Sequence, residues 1–410
     1  MEKKMKAIIV GGSIAGVSCA HSLTSAGWDV LILEKSLEPP ARSPTGAGLG
    51  LDPQARTIIK SWLPRPHLLD ETTLPLSIDQ NQGTTDSEKK ATRVLTRDED
   101  FDFRAAYWSD IHGLLFNALD PTIFLWGHKF LSFTMSQDGS TVIKVKALVM
   151  ESQETVEIQG DLLVAADGCL SSIRKTFLPN FKLRYSGYCA WRGVFDFSGD
   201  ENSETVAGIK REYQDLGRCL YFDLARDTHS VFYELINKRL NWIWYVNQPE
   251  PELKSNSVTL KVSQEMINRM HQEADTIWIP ELARLMKETK EPFLNVIYDS
   301  DPLERIFWGN VVLVGDAAHP TTPHGLRSTN MSVLDAEVLG RCLGKCGPEN
   351  LSLGLEEYQR IRLPVVSEQV LYARRLGRIK QGLDRGGTEG GGGLGLEQKH
   401  VPFFSGAPLV

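Results

Sequence analysis

The chain has 410 residues and a formal net charge of −7, with 41% hydrophobic and 24% charged residues. That length predicts two domains or one elaborated domain with a large apolar interior, and the acidic balance argues against a nucleic-acid surface. No apolar run approaches the roughly 18 residues of a membrane span. The six scattered cysteines form no C-x-x-C and join no histidine cluster, so no metal site is expected and they read as free thiols in a reducing compartment.

The N-terminal MEKKM passes straight into a strand, leaving no room for a leader, and a cytoplasmic protein is expected. Residues 6–10 read as a buried strand, 14–26 as a helix stopped by Gly27, and 29–36 as a second buried strand. This is a β-α-β unit with the continuous apolar runs of parallel strands. The glycine-rich stretch 44–55 reads as a loop, and residues 70–104 are polar and carry little periodicity. A helix is predicted over 107–119, then three short alternating segments at 129–135, 141–150 and 153–158, the first two joined by SQDGS. DLLVAADG (161–168) returns to a buried-strand pattern.

From 184 to 298 the texture becomes alternating and aromatic, as in an antiparallel sheet, with a helical stretch at 262–289. GNVVLVGDAAHP (309–320) is again a buried strand, followed by a helix over 330–343, and the tail from Gly386 is low-complexity and reads as flexible. The predicted fold class is α/β: a dinucleotide-type domain with a parallel sheet, interleaved with an antiparallel-sheet substrate domain. The expected boundaries are 1–75, 100–183 and 295–345 for the first and 76–99 and 184–294 for the second. A helical segment (346–385) and the tail (386–410) follow.

The stretch VGGSIAG holds Gly11, Gly12, Ser13, Ile14, Ala15 and Gly16, a G-x-G-x-x-G pattern with serine at its middle glycine. In such a loop the first glycine makes the turn, the backbone approaches a pyrophosphate, the last glycine lets helix and strand pack, and the helix N-terminus supplies N–H groups. Glu34 ends the second strand, where an acid bonds ribose hydroxyls. The Ser13 hydroxyl can itself bond a phosphate oxygen.

VAADGCLSSIR (164–174) and VLVGDAA (312–318) complete a set of three strand-ending motifs. Together they resemble the single-component FAD-dependent aromatic hydroxylases, the para-hydroxybenzoate hydroxylase-like class. YSGYCAWRGVF (185–195) and TPH (322–324) are similar to its 2,6-dihydroxypyridine 3-hydroxylase-like branch. The resemblance implies FAD as cofactor, NADH or NADPH as transient donor, and O₂ added at the flavin C4a, whose hydroperoxide hydroxylates a small aromatic or N-heterocyclic ring. It implies a monomer or homodimer. It places Asp167, Gly315 and Asp316 beside the flavin, with Lys35, Gly48 and Leu49.

Three positions depart from the family pattern. Ser13 is one. Trp108 stands where many relatives carry a flavin-contacting arginine, with Arg104 four residues upstream as the candidate substitute. Leu326-Arg327-Ser328 falls on the family's G-Q-G turn at the flavin's pyrimidine edge, where Leu326 could crowd the ring and Arg327 could supply positive charge. Catalytic candidates are Arg192, His324 and His319, and substrate candidates are Tyr188, Arg192, Pro323 and His324. A histidine near neutral pKa can take a phenolic proton, and an arginine can steer an anion. NWIWYVN (241–247) invites comparison with flavin halogenases, but alternation puts Trp242 and Trp244 on one face as packing residues. The alternatives are another flavin enzyme, halogenase or dehydrogenase, and a degenerate FAD-binding fold without catalysis.

Overall fold

The computed structural model describes residues 4–39, 46–84, 92–135, 142–253 and 257–383. The SQDGS turn and the tail beyond residue 383 lie outside the described residues. A six-stranded sheet runs in the order Phe307–Trp308, Val311–Leu313, Leu162–Ala165, Lys6–Val10, Asp29–Leu33, Phe124–Leu125. Its strands are parallel except for the Phe307–Trp308 edge. The central strands are apolar throughout because helices cover them, and Ala7, Ile8, Ile9, Leu162, Leu163, Val164 and Leu313 are fully buried. The helices Ile14–Ser25 and Arg327–Cys346 pack against each other and contribute Val17, Ala20, Leu23, Val333 and Leu339 to this core. Strands His128–Met135, Ile143–Val149 and Thr155–Gly160 form an antiparallel meander.

The second large sheet has eight strands, ordered Thr259–Leu260, Phe293–Asp299, Arg184–Asp196, Arg239–Asn247, Thr228–Leu235, Cys219–Ala225, Ile78–Thr84, Thr92–Asp98. Pairing is antiparallel except where Cys219–Ala225 meets Ile78–Thr84. Two apolar cores lie on its two faces. One holds Cys189, Trp191, Phe232, Trp242 and Trp244 against the helices Glu204–Glu212, Gln264–Ile277 and Pro280–Glu288. The other holds Tyr188, Ala190, Phe222, Val231, Tyr233, Ile243 and Tyr245, together with Leu326. The period-2 alternation of strands produces this separation. Trp242 and Trp244 therefore pack away from the second face, with their indole N–H groups donating to Thr289 and Thr228 hydroxyls.

Two sequence expectations change. The glycine-rich stretch 44–55 contains a strand, Gly48–Leu51, paired antiparallel with Phe103–Tyr107 in a three-stranded sheet. Its composition hid it, since glycine and leucine carry no alternation of polarity. The helical stretch 262–289 is two helices, because Pro280 cannot continue the first and starts the second at its first turn. The C-terminal Leu351–Lys380 helix packs on Arg327–Cys346 and carries its last turn back to the eight-stranded sheet.

Candidate active site

The loop after Lys6–Val10 can only be built from glycine at its ends. Gly11 has φ +106°, and a Cβ there would lie 2.3 Å from the Ala166 carbonyl oxygen; a Cβ at Gly16 would lie 1.9 Å from that of Gly11. Helix Ile14–Ser25 starts at Ser13 with no side-chain cap. Its first N–H groups, with the positive end of the helix dipole, are left for an anion. Glu34 faces this loop: Oε2 accepts from the Gly12 N–H at 2.7 Å and Oε1 from the Ser36 N–H at 2.9 Å. Lys35 is exposed. A bare-backbone turn, an uncapped helix and a flanking carboxylate suit the diphosphate and ribose of a dinucleotide.

Asp167 caps the Ser172–Phe177 helix, with Oδ2 accepting from the Ser172 N–H at 2.8 Å, and its buried Oδ1 has no protein partner. From the same motif, the buried Arg174 donates to the carbonyls of Ala317 (2.7 Å), Asp316 (3.2 Å) and Cys169. It thereby ties this loop to the Gly315-Asp316 turn. Asp316 is half-buried, and desolvation pushes its carboxyl pKa up against the bond from the Ser328 hydroxyl at 2.8 Å.

A cavity of about 410 Å³ opens between this turn and the eight-stranded sheet. On one side lie Gly48, Leu49, Gly50, Trp108, Asp316 and the segment Leu326–Thr329; on the other lie Arg192, Phe222, Val231, Tyr233, Ile243, Tyr245 and Ile297. Pro323 and His324 form part of its edge. The structure thus brings together the predicted residues Gly48, Leu49, Arg192, Asp316, Pro323, His324, Leu326 and Arg327.

Leu326 begins the long helix in the left-handed region, φ +56° and ψ +38°, a conformation that glycine adopts without strain. Its side chain packs on Gly50, where a Cβ would come within 2.6 Å of Leu326 Cδ1. Asn330 pins the turn: its amide donates to the carbonyls of Leu326 (2.6 Å) and Gly50 (2.9 Å). Arg327 is buried beside the cavity, 5.7 Å from the Tyr372 ring centroid, and burial lowers its pKa to about 10, leaving it charged at neutral pH. Arg104 points elsewhere, donating to the Thr73 hydroxyl at 2.6 Å and the Asp70 carbonyl at 2.9 Å. It does not reach the cavity, whereas Trp108 does, stacked on His112 at 5.1 Å.

The two candidate histidines have different surroundings. His319 donates from Nε2 to Asp335 Oδ2 at 2.6 Å, while Arg362 bonds Oδ1 and the Gly315 N–H also reaches Oδ2. Burial raises the Asp335 pKa, but the charges of His319 and Arg362 outweigh it and the net shift is downward. His319 therefore anchors the turn and lies off the cavity lining.

His324 belongs to a chain whose hydrogen positions follow from one carbonyl. The Gln381 carbonyl can only accept, so Asn247 donates to it from Nδ2 at 3.1 Å. Asn247 Oδ1 then accepts from Gln381 Nε2 at 2.8 Å, and Gln381 Oε1 accepts from His229 Nδ1 at 2.7 Å. His229 Nε2 is left to accept from His324 Nε2 at 3.1 Å, and His324 Nδ1 accepts from Thr322 Oγ1 (3.3 Å) and Tyr188 Oη (3.4 Å). Burial lowers the His324 pKa to about 3 and the His229 pKa well below 6.5, so both rings are neutral at pH 7. Both His324 nitrogens are committed within the protein, and Tyr188 is fully buried behind it. Sequence reasoning missed His229, Tyr233, Asn241, Tyr245, Asn330 and Gln381. Strand alternation could have exposed the first four; nothing local marks the last two.

Residues 287–373 match the family described as an FAD binding domain. Over 365 residues the chain is 26% identical to a 6-hydroxynicotinate 3-monooxygenase of Pseudomonas fluorescens, covering 88% of each chain. It is 28% identical to a salicylate hydroxylase of Pseudomonas putida, covering 87% of this chain and 81% of that one. Among solved structures, 2,6-dihydroxypyridine-3-hydroxylase from Arthrobacter nicotinovorans superposes with a TM-score of 0.77 at 21% identity, covering 93% of this chain and 94% of the other. Over nearly its whole length the chain is similar to FAD-dependent aromatic hydroxylases, flavoprotein monooxygenases that draw electrons from NAD(P)H. Within that class it is similar to the hydroxypyridine and hydroxynicotinate 3-monooxygenases.

Proposed function

We propose that the chain hydroxylates a small aromatic or N-heterocyclic ring in the cavity between the Gly315-Asp316 turn and the eight-stranded sheet. The balance is ring C–H, O₂, NAD(P)H and a proton to ring C–OH, water and NAD(P)⁺. The observation that carries this reading is the cavity itself: about 410 Å³, with Gly48–Gly50 and Leu326–Ser328 on one wall and an apolar sheet face on the other. Gly11–Gly16 and Glu34 would hold the dinucleotide end of FAD, and Asp316, Gly48, Leu49, Leu326 and Arg327 its ring end. Bound FAD supplies electron transfer from nicotinamide and the activation of O₂.

The protein's own part is orientation and exclusion of water. Phe222, Val231, Ile243 and Ile297 make a dry platform that holds a flat ring against the opposite wall. Neutral His324, braced by His229 and by Tyr188, borders the ring without carrying a charge. It is assigned a positioning part, and His319 holds the turn through Asp335. The discontinuous division into an FAD-binding portion and a substrate portion, a cytoplasmic location, and a monomer or homodimer all go with this reading. Free cysteines suit a reducing compartment.

The test is NAD(P)H oxidation by the FAD-loaded protein against 6-hydroxynicotinate, salicylate, 2,6-dihydroxypyridine and 4-hydroxybenzoate. Ring-stimulated oxidation with a hydroxylated product supports the proposal. Failure to take up FAD, or oxidation yielding only H₂O₂ with every ring, refutes it.

A further inference from the structure

Three rings of the cavity wall, Phe222, Tyr245 and His324, are supported by the last turn of the Leu351–Lys380 helix. That turn is fixed at both ends. Gly377 packs directly on His324 and the Tyr188 hydroxyl, leaving no room for a Cβ. Gln381 is bonded to Asn247 and His229, and His229 stacks on Tyr245 with ring centroids 4.5 Å apart.

Between these two anchors the helix buries an amine. Lys380 is 3% exposed, although lysine side chains are rarely buried. Its Nζ donates to Asn81 Oδ1 at 2.6 Å and lies 3.1 Å from the Phe222 ring centroid. Asn81 and Phe222 are direct partners on the adjacent strands Ile78–Thr84 and Cys219–Ala225, so their side chains leave the sheet on one face. Asn81 is fully buried, and its Nδ2 donates to Thr96 Oγ1 at 3.0 Å, which turns Oδ1 toward the lysine.

An ammonium over a ring face holds that ring in one orientation. Tilting the ring exchanges its negative face for its positive edge, and little water is present to screen the change. An apolar side chain of similar length would fill the same space without the cost of burying a charge. What the lysine adds is direction. Phe222 cannot swing while Lys380 stays, and Lys380 cannot withdraw while Gly377 and Gln381 are held.

We propose that Lys380 is a specificity-determining positioning residue: acting through the Phe222 ring, it fixes the back wall of the cavity and limits the substrate to a single aromatic ring. This rests on the hydroxylase reading and deepens it. The opposite wall is fixed by Leu326 on Gly50, so a fused second ring is admitted only by displacing Phe222.

The test is ligand binding to the FAD-loaded protein, read from perturbation of the flavin absorbance. Probes are matched pairs that differ by one fused ring: 4-hydroxybenzoate against 6-hydroxy-2-naphthoate, and salicylate against 3-hydroxy-2-naphthoate. The wild type should bind the one-ring member of at least one pair tenfold or more tightly. Lys380→Met keeps most of the side-chain volume and should bring that ratio to about 1, and Lys380→Arg should restore most of the preference. Phe222→Leu should also erase it, and adding Lys380→Met to Phe222→Leu should change the ratio less than twofold. Equal binding within both pairs by the wild type, binding of no probe, a preference that survives Lys380→Met, or a full Lys380→Met effect in the Phe222→Leu background overturns the proposal. Should Lys380→Met not fold, Phe222→Leu alone decides, and an unchanged preference overturns the proposal. Failure to take up FAD instead overturns the hydroxylase reading.

Discussion

The histidine pair behind the cavity makes a measurable statement about acid stability. In the folded protein burial lowers both pKa values, His324 to about 3 and His229 well below 6.5. The unfolded chain titrates near 6.5, so it takes up these protons first. The contribution is whole above about pH 6.5 and is lost as pH falls. At pH 5.0 protonation of the unfolded chain stabilises it by about 2 kcal/mol at His324, and His229 acts in the same direction. His21 and His112 are also depressed by burial and add to the total acid loss. A difference measurement cancels them. Denaturant unfolding of wild type and His229→Gln/His324→Gln at pH 7.5 and 5.0 is the assay. The double variant should be less stable at pH 7.5 yet lose less on acidification than His324→Gln alone, which should itself lose about 2 kcal/mol less than the wild type. Equal losses in all three proteins would refute the assignment of two neutral, buried rings.

Other perturbations test neighbouring parts of the site. Gly377→Ala places a Cβ 2.4 Å from the Tyr188 hydroxyl and 2.7 Å from His324 Nδ1. It should destabilise by about 1–3 kcal/mol in thermal unfolding, as overpacking does, and lower turnover more than FAD affinity. Leu326→Gly removes left-handed strain of about 1–2 kcal/mol but also a partly buried leucine worth about 1.5–3 kcal/mol, so a small net destabilisation is expected by calorimetry. Asn330→Ala strips its bonds to the Leu326 and Gly50 carbonyls and the one it accepts from the Asp52 N–H, and should lower stability by about 3 kcal/mol. Asp316→Ala should weaken FAD retention about tenfold in an equilibrium-dialysis measurement, the value of one hydrogen bond.

The β-α-β start, the returning strands at 162–165 and 311–313 and the antiparallel sheet are legible because apolar runs and alternation report burial directly. The Gly48–Leu51 strand is not, because four residues of glycine and leucine carry no period. Motif spacing brings Asp316, Leu326 and Arg327 to the cavity, yet gives no sign that Arg104 turns to Thr73 and Asp70. Residue type alone cannot separate His319 from His324. Their partners decide it, Asp335 and Arg362 for one and His229 for the other, and these come from distant parts of the chain. The part played by Gln381 depends on how a 30-residue helix returns to the sheet, which no local pattern encodes.

The central claim is that this cavity transfers one oxygen atom from O₂ to a ring. Turnover of the FAD-loaded protein under ¹⁸O₂, with NAD(P)H and the ring compound that most stimulates NAD(P)H oxidation, measures it by mass spectrometry of the product. The account predicts one ¹⁸O atom in the ring product. A product without ¹⁸O, or NAD(P)H consumption ending wholly in H₂O₂, would contradict it.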